Sequence, residues 1–547
     1  MRIDRRRALA LLGLGAAGSA GQAEAQAGTF LHGVASGDPL SDRVVLWTRV
    51  TVSGAGSAPV RWEVAEDRAF RSVVRQGTQT AEAARDHTVK VDVSGLRPGR
   101  EYWYRFTSGS AVSPVGRTKT LPVGATPDIV LAVTNCALHP GGLFNVYEAI
   151  ARLERLDAVV HLGDYIYEYG AGAGDYGMAA GRRLNRIPDP PHEIVSLGDY
   201  RRRHAQYRTD PDLQAAHARA PFICVWDDHE TADNSWMNGA NNHQPATEGD
   251  WAARKAAALR AYYEWLPIRE PGPGGQRDVI QRSFDFGGLA TLIMVDTRLK
   301  GRGLQLETPA LDALPAFLSK LRDPNRRLLD AQQEAWVGSE LARSRRSGRT
   351  WQILGNQVVM ARVQGPDFEA LLGPAGYQAM LAKVDAARRT RLQQVTPLFR
   401  QGLPYNLDAW NGYPAARERL YAMIRRAGAR VIVLAGDSHA FWVDDLKDDA
   451  SRRVGAEFGA SSVTSPSQGD AYPPDVDLGA ALAARSEEVI FSDQTAKGYV
   501  LLTLTPKEVT ADLIAVSTIM EKPYTTRLVG RYVVAATGAG IEAPRKV

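Results

Sequence analysis

The sequence predicts an α/β protein, one large domain of alternating strands and helices preceded by a small β-sandwich. Three observations predict it. The chain has 547 residues, enough for two or three domains. From about residue 28 to 121, short period-two apolar runs are separated by turn residues. From residue 122 to 547, apolar runs alternate with helical stretches, the pattern of a layered α/β domain. Hydrophobic residues make up 44% and charged residues 23%, an ordinary globular balance that excludes a disordered, collagenous or disulfide-scaffold protein. Lys+Arg is 66 against Asp+Glu 61, a formal charge of +5. No basic run concentrates that charge beyond the extreme N-terminus, which argues against a nucleic-acid partner.

Residues 1–27 read as an export signal: a basic start, an apolar middle and small residues at A-x-A spacing, with cleavage after Ala25 or Ala27. Arg5, Arg6 and Arg7 ahead of the apolar stretch resemble a twin-arginine signal. An ordinary Sec signal with an extra arginine is the alternative. The stretch is too short to span a bilayer, and no later run offers 18 continuous apolar residues. The expected product is soluble and periplasmic or secreted, handled on its way by the twin-arginine export machinery.

Strand-like runs at residues 44–50, 60–65, 87–93 and 101–106 build the sandwich. The segment 96–106 resembles the E–F corner and F strand of a fibronectin type III domain, with Tyr102 as the corner tyrosine. Residues 117–127, with two prolines and a glycine, read as a linker. Helical stretches then fall at 143–156, 200–220, 248–265, 330–345 and 415–427. Residues 170–181 and 238–249 read as loops.

Polar residues at strand ends carry the chemistry. The run 128–136 ends in Asn135-Cys136. The run 157–167 passes into Gly163-Asp164, Tyr165 and Tyr167. The run 222–230 ends in Asp227-Asp228-His229-Glu230. The run 351–357 ends in Asn356-Gln357, and 430–439 in Asp437-Ser438-His439. In α/β sheets ligands bind outside the carboxyl ends of strands. Carboxylates crowded there repel unless a cation neutralises them, so the pattern points to a metal site of two or more ions. Carboxylate and amide oxygens suit hard cations, whereas thiolate, phenolate and imidazole suit a transition metal. A phenolate favours Fe³⁺, because tyrosine has a pKa of ~10 and needs a strong Lewis acid to lose its proton.

Gly-Asp-x-x-Tyr, then Trp-Asp-Asp-His-Glu, then Gly-Asp-Ser-His near the C-terminus resembles the PhoD-type alkaline phosphatases of the calcineurin-like metallophosphoesterase superfamily. The resemblance covers nearly the whole chain after the signal. It implies a four-layer α/β/β/α domain and hydrolysis of phosphate mono- or diesters. It implies Fe³⁺ held by Cys136, Asp164, Tyr167 and His439. It implies Ca²⁺, or another divalent cation, held by Asp228, Asn356 and Asp437, with Asp164 bridging and His229 as proton donor. Such a site attacks phosphorus with a hydroxide bridging two cations, in one step with inversion. Arg201, Arg203, Arg208 and Arg298 are candidates to neutralise phosphoryl charge. Cys224, flanked by apolar residues, reads as core; a Cys136–Cys224 disulfide is the alternative. Rival readings are a phospholipase D-like phosphodiesterase, a serine esterase built on Ser438, and an exported binding protein without catalysis.

Overall fold

The computed structural model describes residues 29–52, 56–172, 174–272, 274–538 and 540–547. The proposed export signal lies outside them. Two large sheets share one apolar core. The first has ten strands, and at its centre Ile129–Thr134, Ala158–His161 and Phe222–Cys224 run parallel. The second has seven, with Ala290–Met294, Trp351–Gly355, Val431–Ala435 and Arg453–Gly459 parallel. Leu131, Val133 and Leu502 of the first sheet join Ile353, Leu434 and Phe458 of the second in a single buried cluster. These strands read as near-continuous Val/Ile/Leu runs because both of their faces are buried.

Helices cover the outer faces and complete four layers. Asn145–Ala151, Leu197–Arg208, Pro211–Arg219 and Trp251–Trp265 contribute to the core on the first sheet's side. Ala331–Arg346 and Pro414–Ala427 pack on the second. The helical stretch expected at 200–220 is two helices. Proline cannot continue the first, and Asp210, capping the second, accepts from the Asp212 and Leu213 N–H groups.

The N-terminal sandwich is present, but one of its sheets is not separate. Ala58–Ala65, Val73–Ala81, Glu101–Ser108, Ala111–Val112 and Gly116–Lys119 form their own five-stranded sheet. Val34–Gly37, Arg43–Arg49 and Thr88–Ser94 instead extend the ten-stranded sheet, Gly37 pairing in parallel with Phe222. The expected corner is there: the Tyr102 hydroxyl accepts from the Arg97 N–H at 2.9 Å. The segment read as a linker begins inside the strand Gly116–Lys119. At the opposite edge Gly498–Leu504, Glu508–Val516 and Thr526–Ala535 form an antiparallel meander joined to Ile129–Thr134. Among the described residues no helix is long and apolar enough to cross a membrane.

Candidate metal centre

All five predicted strand ends sit where the two sheets meet. The Cys136 N–H donates to the Gly163 carbonyl at 3.1 Å. Asn135 pairs with Ser462 beyond the second sheet's strand Arg453–Gly459. Four candidate ligands lie in turns with left-handed backbone: Cys136 (φ 55°), Asp164 (φ 53°), Asp437 (φ 59°) and His439 (φ 57°). Non-glycine residues avoid this region, and clusters of them mark sites where surrounding structure forces a side chain into position. Gly163 has φ 112°, and a Cβ there would stand 2.4 Å from the backbone nitrogen and Cβ of Asp227. Only glycine lets these two ligand loops touch.

The donor atoms form three overlapping groups: Cys136, Asp164 and His439; Asp164, Asp228 and His229; and Asp227, Asp228 and Asp437. Within each group they lie within 4.8 Å of one another. Asp164 and Asp228 link the groups. The Tyr167 hydroxyl donates to Asp164 Oδ2 at 2.9 Å and stands 3.4 Å from His439 Nε2. Cys136 Sγ is 3.3 Å from the same carboxylate oxygen. The set fits metal ions. Asp227 Oδ2 is buried without a hydrogen-bond partner and Asp228 Oδ1 has only Arg298, at 3.4 Å; one guanidinium shared among four aspartates leaves carboxylate charge for a further cation. His439 Nδ1 is 2.8 Å from the Pro466 carbonyl, so it carries the proton and the Nε2 lone pair faces Tyr167. Fixing the imidazole tautomer by the far nitrogen is how histidine ligands are oriented.

Two glutamates that sequence reasoning did not assign frame this centre. Glu230 accepts the backbone N–H groups of Asp164 (3.0 Å), Tyr165 (2.6 Å) and Asp227 (2.7 Å), tying two ligand loops together. Burial pushes its carboxyl up to about 8. Glu168 Oε2 lies 2.7 Å from His229 Nδ1, and its other oxygen accepts from the Asp233 N–H and Asn242. Burial pulls the His229 imidazolium down, but Glu168, Asp228 and Asp164 outweigh it and hold it well above the ordinary value. His229 Nε2 stays on the site side, 4.0 Å from Asp228 Oδ2. Burial raises Asp164, the Cys136 thiol and the Tyr167 phenol, and lowers His439 to about 3. Glu230 stood in the Trp-Asp-Asp-His-Glu block without a role, and the only sequence signal for Glu168 was its position one residue beyond Tyr167.

Several assignments change. Arg203 is fully buried and donates to the Tyr167, Tyr169 and Pro190 carbonyls; it braces the ligand loop and has no donor free for phosphate. Arg208 stacks on Trp47 at 4.4 Å and donates to the His32 carbonyl, inside the junction with the N-terminal sheet. Arg201 pairs with Glu264. Arg298 does reach the centre, but as a clamp. Its guanidinium binds Asp227, both oxygens of Asp408 (2.9 and 2.8 Å) and Asp437 (2.6 Å), with Asp228 at 3.4 Å. Asp408, in an irregular loop, had no sequence signal. Asn356 is buried with its oxygen accepting from Trp410 Nε1 at 2.9 Å and its amide donating to the Val358 carbonyl; the second lone pair of that oxygen stays open. Tyr165 points away and bonds His217. Cys136 and Cys224 are both free, with Cys224 in the shared core.

Face-packed mixed sheets with a carboxylate, thiol, phenol and imidazole set at their strand ends define a layered α/β protein with a candidate metal centre. Residues 131–513 match the family model described as PhoD-like phosphatase, and residues 15–122 match its N-terminal domain. Alkaline phosphatase D of Bacillus subtilis (strain 168) is 38% identical over 498 residues, covering 88% of this chain and 77% of that protein. A solved structure described as the structure of PhoD superposes with a TM-score of 0.77 at 34% identity, covering 95% of this chain and 92% of that one. The chain belongs to the PhoD-like phosphatase family, and it is a phosphoric ester hydrolase of the alkaline phosphatase D kind.

Proposed function

We propose that the chain hydrolyses phosphate mono- and diesters by a single displacement at a centre of Fe³⁺ and Ca²⁺, with His229 protonating the leaving group. The observation that carries this is the chain of overlapping donor groups: Asp164 belongs to one with Cys136 and His439 and to one with Asp228 and His229, and Asp228 in turn belongs to one of carboxylates with Asp227 and Asp437. Cys136, Asp164, Tyr167 and His439 would hold the iron. Asp164, Asp228 and Asp437 would hold the calcium. When bound, these cations supply positive charge for the phosphoryl oxygens and acidify water beside them.

The chain's own residues supply position and the proton. Glu168 fixes His229 Nδ1, so the transferable proton sits on Nε2, on the carboxylate side of the centre. Arg298 and Glu230 tie the acidic loops together. Arg203 holds the Tyr167–Tyr169 backbone. The described residues offer no activated serine: Ser438 Oγ accepts from Trp442 Nε1 at 2.8 Å, and the neighbouring His439 is turned to Pro466. The pattern of residues 1–27 supports export by the twin-arginine route to the periplasm or the medium. A substrate chiral at phosphorus tests the single displacement: inversion is expected, and retention would contradict it.

A further inference from the structure

Tyr169 follows Glu168 on the loop leaving the strand Ala158–His161. Its carbonyl accepts from buried Arg203 at 2.9 Å, so the backbone there is fixed from inside. Its ring centre lies 5.2 Å from that of His229, tilted 57°, and 5.9 Å from that of Tyr176, edge-on. Tyr165 and Tyr167 are buried, with hydroxyls bonded to His217 and Asp164. Tyr169 differs from both: it is half-buried, and its hydroxyl bonds to none of the described residues. Its ring also stacks on Tyr167 at 6.3 Å, so it packs against the ligand tyrosine, while its hydroxyl takes no part in the ligand set.

We propose that Tyr169 is a specificity-determining residue whose ring forms the wall beside the leaving group, selecting phosphate esters of planar aromatic alcohols over saturated ones. The proposal rests on His229 being the proton donor. The departing oxygen must come within hydrogen-bond reach of His229 Nε2, which places the first atoms of the alcohol beside a ring 5.2 Å from that imidazole. Aromatic partners gain from stacked or edge-on contact at centroid separations of about 4.5–7 Å, a gain that a saturated ring of equal size does not share. Tyr176, edge-on to Tyr169 and stacked at 6.3 Å on His439, continues the wall across the centre.

Benzyl phosphate and cyclohexylmethyl phosphate test it, because both release a primary alkoxide and the rings match in size. The quantity read is the ratio of their kcat/KM values. Wild-type enzyme favours benzyl phosphate, Tyr169→Phe keeps the preference, and Tyr169→Leu lowers the ratio roughly two- to tenfold through the benzyl ester. An unchanged ratio in Tyr169→Leu overturns the proposal. So does an equal fall on both esters, which is what a merely structural role in seating His229 would give. If circular dichroism shows the leucine variant unfolded, Tyr169→Trp decides: a maintained or higher ratio supports the wall, and a lower one contradicts it. His229→Ala tests the underlying reading separately. If its loss is no larger on these two esters than on 4-nitrophenyl phosphate, whose leaving group needs no proton, the proton-donor reading fails whatever the Tyr169 ratio shows.

Discussion

The 2.7 Å contact between Glu168 and His229 makes the glutamate a positioning residue, acting on the ester only through the imidazole. Glu168→Gln should lower kcat by about 10–100-fold on esters of unactivated alcohols and far less on 4-nitrophenyl phosphate, because general acid catalysis contributes about 10²–10⁴ where the leaving group needs a proton. Arg298 makes a second residue-level claim. It is fully buried among Asp227, Asp228, Asp408 and Asp437, and removing one partner of a buried charge cluster typically costs about 3–5 kcal/mol. Arg298→Gln should therefore lower the melting temperature of metal-stripped protein markedly, and saturating Ca²⁺ should recover much of the difference. Equal losses with and without the cation would show that Arg298 stabilises something other than the carboxylates. Ser438→Ala should leave kcat/KM within about twofold of wild type, since that hydroxyl serves Trp442.

At the level of elements, the centre exists because five strands stop at one boundary and their following turns are bent into left-handed backbone. Gly163 is the tightest point of that arrangement. Gly163→Ala would drive a methyl group into Asp227 and force a positive φ on a residue that resists it; such strain costs of order 1–3 kcal/mol. The expected result is a stability loss accompanied by weakened metal retention, measured by equilibrium dialysis on the folded fraction. These turns were legible in the sequence because each apolar run ends abruptly in Asp, His, Cys or Asn. Cys136, Asp164, Tyr167, Asp228, His229, Asp437 and His439 consequently lie close to one another. The arginines were not legible. Arg203 and Arg208 lie on one helix but on different sides of it, and only the tertiary fold shows backbone carbonyls against the first and Trp47 against the second. Asp408 lies far along the chain in an irregular loop, with neither periodicity nor a motif to single it out. Asn356 follows a strand end as read, and Trp410, 54 residues away, bonds its oxygen, a partner that no local pattern shows.

For the whole molecule, the least legible feature was the continuity of the N-terminal strands with the catalytic sheet. The Gly37–Phe222 pairing joins residues distant in sequence, and period-two patterning reveals strands but not their partners. That junction and the neighbouring layer bury neutral histidines. Burial, aided by Arg49 and Arg208, lowers His32 to about 3; burial lowers His161 to about 3; and burial with Arg208 and Arg203 lowers His204 to about 3. The unfolded chain binds protons at these groups below about pH 6.5 and the folded chain does not. Stability is therefore lost as pH falls through that value, by about 2 kcal/mol per histidine at pH 5. Carboxyls raised by burial, Glu457 to about 7 and Glu230 to about 8, work in the opposite direction, so the histidine contribution is read by difference. In His204→Phe the loss of denaturant midpoint from pH 7 to pH 5 should be smaller than in wild type, and an identical pH dependence would contradict the assignment. The identity of the metals decides between mechanisms, and elemental analysis of purified protein together with its visible absorption spectrum measures it. Iron and calcium are expected, with a charge-transfer band from thiolate and phenolate on Fe³⁺ that disappears in Cys136→Ala combined with Tyr167→Phe. A colourless, active protein containing only zinc would contradict that expectation.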